Sequence, residues 1–196
     1  MEYCPNEKKI ILNRKLNRLD TFVLSFTRHL DKYVVVSGYV SILFGRSRAT
    51  EDIDLLIPKM SEQEFQSLWD RLSENDFECI NTSYPEEAFK MLKEHAIRFS
   101  EKNKPIPNME FKIIADEIGK YSFDNKIKVI LDKGELFVSP LEMQIAYKLD
   151  LGKQGNEKDI EDAKHLYELF KEKLNNSELL KLINQLNVSK QFELIQ

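Results

Sequence analysis

Asp52 and Asp54 are the residues whose type and spacing most directly suggest chemistry. They open the run Asp52-Ile53-Asp54-Leu55-Leu56-Ile57, which reads as a strand stopped by Pro58. On a strand, residues two apart face the same side, with Cα atoms about 6–7 Å apart. Two carboxylates held that close repel one another unless a cation intervenes. Hard oxygen ligands of this kind suit Mg²⁺ or Mn²⁺. Acidic residues number 33 in 196, so such triplets also arise by chance, and Glu74-x-Asp76 and Asp159-x-Glu161 are read as background. Asp52-x-Asp54 differs in its apolar neighbours, which place the carboxylates on a partly buried strand where charge needs a partner or a metal. The motif alone leaves a metal site and ordinary paired carboxylates both open.

Further candidates flank this pair. Ser37-Gly38 is a small-residue turn between the apolar run Tyr33–Val36 and a short helix over Tyr39–Phe44. Backbone N–H groups there suit a phosphate, although an ordinary tight turn has the same composition. Arg46 and Arg48 follow, able to neutralise phosphate charge or simply to meet solvent. On a later strand, Met109-Glu110-Phe111-Lys112-Ile113, alternation puts Glu110 and Lys112 opposite Phe111. Taken alone, Glu110 reads as a solvent-facing residue.

Together, Val36–Leu55 resembles the signature of the nucleotidyltransferase superfamily: a small-residue pair, a short helix, then Arg48-x-Thr50-x-Asp52-x-Asp54. It is similar to the minimal nucleotidyltransferases and to the AbiEii-type toxin branch. A downstream block, Ser139-Pro140-Leu141-Glu142, Lys148 and Lys158-Asp159-Ile160-Glu161-Asp162-Ala163, resembles that branch too. The resemblance spans about Tyr33 to Phe170. The family's small pair is usually Gly-Gly or Gly-Ser, and here it is Ser37-Gly38; its third carboxylate is often Asp, and here it is Glu110.

The resemblance implies an α/β (α+β) fold, a mixed sheet flanked by helices with a C-terminal helical extension. It implies that Asp52, Asp54 and Glu110 bind Mg²⁺ or Mn²⁺, and that Ser37, Gly38, Arg46, Arg48 and Thr50 contact the nucleotide. Lys148, which otherwise reads as a solvated helix-end residue, becomes a catalytic candidate offsetting pyrophosphate charge, with Asp159 and Asp162 as candidates for positioning Lys148 or the acceptor. The implied reaction moves an NMP from an NTP to an acceptor hydroxyl, with tRNA or protein favoured. Transfer to a small molecule is the alternative, as is a non-catalytic nucleotide-binding or toxin–antitoxin partner that keeps the fold.

The elements that must position these residues follow from periodicity. Leu12, Leu16, Leu19, Val23, Phe26 and Leu30 predict one amphipathic helix over the first thirty residues. Ser61 with Glu64 forms a capping-box spacing for a helix facing Phe65, Leu68 and Leu72 inward. Strands are expected near Phe77–Ile80 and Ile97, a helix over about Glu86–Glu94, and a hairpin of Lys126–Leu131 with Glu135–Val138 around Lys133-Gly134. Ser139-Pro140-Leu141-Glu142 reads as a second capping box, and further helices begin near Asn156 and after Ser177. The chain is divided into an α/β core, residues 1–138, and a helical region, residues 139–196. Trp69 is assigned to packing, and His29, His95 and His165 show no ligand spacing.

Composition narrows the class. Hydrophobic residues make up 42% and charged residues 32%, the balance of a folded globular chain. A net charge of −4 argues against broad non-specific nucleic-acid binding. Two cysteines, Cys4 and Cys79, form no CxxC pair, so a disulfide framework or zinc ribbon is not expected. With no leader or membrane-length apolar run, the expectation is a cytoplasmic protein.

Overall fold

The computed structural model describes residues 1–153 and 155–196. The strand that carries the paired aspartates lies in the interior of its sheet. In chain order the elements are β1 (Glu2–Cys4), β2 (Lys9–Ile11), α1 (Arg18–Thr27), β3 (Val34–Val35), α2 (Gly38–Leu43), β4 (Asp52–Ile57), α3 (Glu62–Glu74), β5 (Phe77–Cys79) and α4 (Pro85–Glu94). They continue as β6 (Ile97–Glu101), β7 (Lys104–Ile113), α5 (Glu117–Asp124), β8 (Ile127–Leu131), β9 (Gly134–Val138), α6 (Leu141–Gly152), α7 (Glu157–Phe170), α8 (Asn176–Gln185) and α9 (Ser189–Glu193). The strands form one mixed sheet in the order β1-β2-β8-β9-β3-β4-β7-β6-β5.

In β4, Ile53, Leu55 and Ile57 are buried on one face, leaving Asp52, Asp54 and Leu56 half-buried on the other. β4 pairs antiparallel with β3 and parallel with β7, so its backbone is committed on both sides. The buried face meets an aromatic cluster in which the Phe26 ring lies 5.1 Å from Phe77, 5.9 Å from Phe99 and 6.2 Å from Phe111. Trp69 is part of this packing, 5.8 Å from Phe99.

Local sequence accounts for several boundaries. Ser61 caps α3, and the Glu64 side chain returns to the Ser61 N–H, as the spacing predicts. β8 and β9 form the expected antiparallel hairpin, with Leu131 opposite Gly134.

Three expectations are corrected. The first thirty residues are not one helix. Two short strands precede α1, whose true start is a capping box between Asn17 and Asp20. Ile10 is fully buried because β2 pairs parallel with β8, a long-range contact that outweighs the local leucine spacing. Ser139 is not a helix cap. Its N–H donates to Val35 O at 2.9 Å, so it is still held by the sheet, and α6 begins at Leu141. Glu142 does not reach back either; it accepts from the Asn175 N–H at 2.7 Å. The third is α5, a helix that the reading did not expect, capped by Asp116, which accepts from the Gly119 N–H at 2.7 Å.

Residues 139–196 form α6 to α9. α6 buries Leu141, Met143, Ile145, Ala146 and Leu149 together with the polar Gln144 and Lys148. α7 packs on α2: the Phe170 ring lies 5.0 Å from Phe44, and a His165 ring nitrogen lies 3.1 Å from Phe44 O. Among the described residues no helix is long and apolar enough to cross a membrane.

Candidate active site

The parallel register of β4 and β7 places Asp54 directly beside Glu110, and Asp52 beside Asn108. β6 extends the same row, with Arg98 beside Glu110. Facing residues on neighbouring strands share a sheet face, so Arg98, Glu110 and Asp54 form a line across three strands.

Lys112, two residues beyond Glu110, folds back over this line. Its Nζ lies 2.7 Å from Asp54 Oδ1 and also contacts Glu110 Oε2. Arg98 takes the other oxygen, Glu110 Oε1, at 2.5 Å. Burial alone would push the Asp54 carboxyl up; the hydrogen bond and charge of Lys112 outweigh it and hold Asp54 below its ordinary value. Burial likewise disfavours the Lys112 ammonium, and its two carboxylate partners still raise it. Asp52 has no such cation: among the described residues no ion pair involves it, and its carboxylate accepts from the Thr50 hydroxyl at 3.4 Å.

These carboxylates suit a hard divalent cation in donor type, and Lys112 Nζ marks a point where two of them already share a positive charge. The grouping is of two, not three. Among the described residues no three His, Cys, Asp or Glu side chains gather closely enough to hold one ion.

The Ser37-Gly38 turn joins β3 to α2. Ser37 has φ 62° and ψ −136°, on the side of the backbone map that favours glycine. Gln144 from α6 secures it twice: its Oε1 accepts from the Ser37 N–H at 3.1 Å, and its Nε2 donates to Ser37 O at 2.7 Å. Gly38 leaves room for the Arg48 side chain that lies on it. A Cβ there would stand 2.7 Å from the Arg48 guanidinium.

The remaining basic candidates converge on α7. Lys148, only 1% exposed, pairs with Asp159 at 2.5 Å and with Asp162 at 3.1 Å. Arg48 reaches the same Asp162 oxygen at 2.5 Å, while Arg46 pairs with Glu161 and lies 3.7 Å from Asp162. One turn of α7 thus supplies Asp159 and Asp162 on a single face, and burial demands that they be paired. The three cations are matched by three carboxylates. The Lys148 charge adds in a minor way to holding Asp54 low.

Asp54, Lys112 and the Ser37 turn open on one space, whose lining does not include Arg46, Arg48 or Lys148. A cavity of about 260 Å³ is lined by Asp54, Lys112, Ser37, Gln144, Met143 and Tyr147, among others. A larger open groove, about 760 Å³, lies between α1 and β9 and touches none of these residues.

Three participants escaped the sequence reading of the site. Lys112 was legible as a residue on the Glu110 face but was given no role. Gln144 stands four residues before Lys148, the spacing of one helix face. Arg98 alternates with the buried Ile97 and Phe99.

No protein-family model matches the chain, and no curated protein does. Solved structures do. An antigenic nucleotidyltransferase-like protein from Paracoccidioides brasiliensis aligns at TM-score 0.56 and 16% identity over 88% of each chain. ANT(2")-Ia in complex with adenylyl-2"-tobramycin aligns at 0.48 and 10%, covering 86% of this chain and 95% of that one. JHP933 from Helicobacter pylori aligns at 0.47 and 15%, covering 87% and 75%. The mixed sheet with its flanking helices is therefore a nucleotidyltransferase-like fold. At these identities the likeness concerns the fold alone.

Proposed function

We propose that this chain is a nucleotidyltransferase that moves a nucleoside monophosphate from an NTP to an acceptor hydroxyl. The observation that carries this reading is the pairing of Asp54 with Glu110 across β4 and β7 at a shared cation, with Asp52 two residues along the same face. Asp54 and Glu110, with Asp52 beside them, would hold Mg²⁺ or Mn²⁺. When bound, such an ion neutralises phosphate charge and makes a bound hydroxyl more acidic.

The chain's own residues supply the rest. Glu110, steadied by Arg98 on one oxygen, would hold the ion through the other, and the hydroxyl proton would pass to water. The acceptor oxygen attacks the α-phosphorus, the bond to the bridging oxygen breaks, and pyrophosphate leaves. Ser37-Gly38 would let phosphate oxygens approach the backbone closely, because Gly38 presents no side chain. Arg48 would balance the charge that develops on the leaving group, held in place by the Asp162 oxygen that it shares with the buried Lys148. The block from Ser139 to Ala163 supports placing the chain near the AbiEii-type branch, and an antitoxin-like partner belongs to that reading.

tRNA or protein is the acceptor that the family resemblance favours. One observation favours a small molecule as a second reading. Arg46, Arg48, Lys148, Arg98 and Lys112 are each paired with a carboxylate, so the cleft offers little unbalanced positive charge to a polynucleotide.

The test is transfer of label from α-labelled NTPs with Mg²⁺ or Mn²⁺, offering total RNA, protein extract and small-molecule fractions separately, with Asp54→Asn beside wild type. Label carried only by wild type supports the reading, and the labelled fraction names the acceptor class. Metal-dependent NTP binding without transfer to any fraction would favour the non-catalytic partner.

A further inference from the structure

We infer that Lys112 is a built-in counter-cation of the carboxylate pair, and that its ammonium must be displaced before the site can take a divalent ion. This rests on the metal site of the proposed function and adds a residue that controls it.

The geometry is specific about what displacement releases. Lys112 Nζ touches Asp54 Oδ1 and Glu110 Oε2, whereas Arg98 holds Glu110 Oε1. Removing the ammonium therefore bares two oxygens that already converge on one point. Glu110 keeps a cation throughout, so the change does not leave it stranded.

Lys112 also has the freedom to leave. Its side chain is 39% exposed, and it lines the cavity shared by Asp54, Asp116 and Tyr147. Lys148, the other lysine whose charge acts on Asp54, has a side chain only 2% exposed and is locked between Asp159 and Asp162. A lysine head is a hydrated point charge on a flexible stem, so it regains water when it swings out. A divalent ion offers the same two oxygens twice the charge. Cation binding is then a competition, and apparent affinity is the intrinsic affinity multiplied by the fraction of time that Lys112 is out of the way.

The test is Mn²⁺ binding to the full chain without nucleotide, read by electron paramagnetic resonance, for wild type, Lys112→Met, Lys112→Gln and Asp54→Asn. Lys112→Met should bind Mn²⁺ about tenfold more tightly, the factor for a site that the ammonium fills nine-tenths of the time. Lys112→Gln, which keeps a polar head and guards against loss of folding, should fall between. Melting in chelator gives a second readout. Lys112→Met should melt below wild type and recover with Mn²⁺, a recovery that a merely structural lysine would not show. Equal or weaker Mn²⁺ binding by both Lys112 variants, with binding still lost in Asp54→Asn, would overturn the role of Lys112 and leave the metal site standing. Undiminished binding in Asp54→Asn, or none in any variant, would overturn the metal site and this inference together.

Discussion

Gln144 holds both main-chain polar groups of Ser37, accepting from its N–H at 3.1 Å and donating to its C=O at 2.7 Å. One side chain from α6 thus replaces a sheet neighbour for a residue at the end of β3. It fixes the turn that leads into α2 and lines the same cavity as Asp54.

Gln144→Ala should therefore cost stability as well as function. It strands a donor and an acceptor that are largely shielded from water, a loss of about 1–3 kcal/mol. Chemical denaturation should show that drop. NTP binding should weaken by more than the stability loss explains, since the turn itself would loosen. Gln144→Glu keeps the acceptor and loses the donor, and should lie between.

Ser37 pays for its positive φ with backbone strain that glycine would not carry. Ser37→Gly should melt at or slightly above wild type, because relief of strain offsets the greater unfolded-state entropy of glycine. Ser37→Val should melt lower by the equivalent of about 1–3 kcal/mol, since a β-branched residue resists this conformation. Thermal unfolding of the two variants side by side checks the sign of both.

Lys148→Met should be strongly destabilising. It leaves Asp159 without its cation and Asp162 with only its arginine partners, all in a site closed to water. Breaking one side of a buried pair costs about 3–5 kcal/mol. Replacing both partners of the Lys148–Asp159 pair with Asp159→Asn and Lys148→Met together should recover part of that loss. A double-mutant cycle in urea measures the coupling, and additive losses would mean the pairing is not the cause.

Acid should weaken the α1–α2 corner through Asp20. This fully buried carboxylate accepts from two Arg14 nitrogens, the Asn17 N–H and the Tyr39 hydroxyl. Burial pushes its pKa up, but these hydrogen bonds and the Arg14 charge prevail and leave it below 3.8. Folding lowers the pKa, so the stability it contributes is complete above the unfolded value and drains away as pH falls through the folded one. Stability measured against pH below about 4 should fall steeply in wild type and more gently in Asp20→Asn, which is less stable at neutral pH.

Much of the fold was legible from local pattern. β4 followed from alternation around Asp52-Ile53-Asp54 and its stop at Pro58, α3 from Ser61 and Glu64, and the β8–β9 hairpin from Lys133-Gly134. These features depend on residues within one turn or one strand of each other. β1 and β2 were not legible, because three residues are too few to display a period and their burial comes from β8.

The site divides in the same way. That Asp52 and Asp54 share a face, and that Glu110 and Lys112 share another, is a consequence of strand geometry and was contained in the sequence. That these are one face, with Asp54 beside Glu110, depends on the parallel register of β4 and β7. Register is set by packing over the whole sheet and has no local signature. The same holds for Lys148, which spacing alone left in solvent and which the docking of α6 on α7 buries between two aspartates. The sequence determined which charged residues would be available and which neighbours they would alternate with. Tertiary structure alone decided their partners, because only burial makes an unpaired charge too costly to keep.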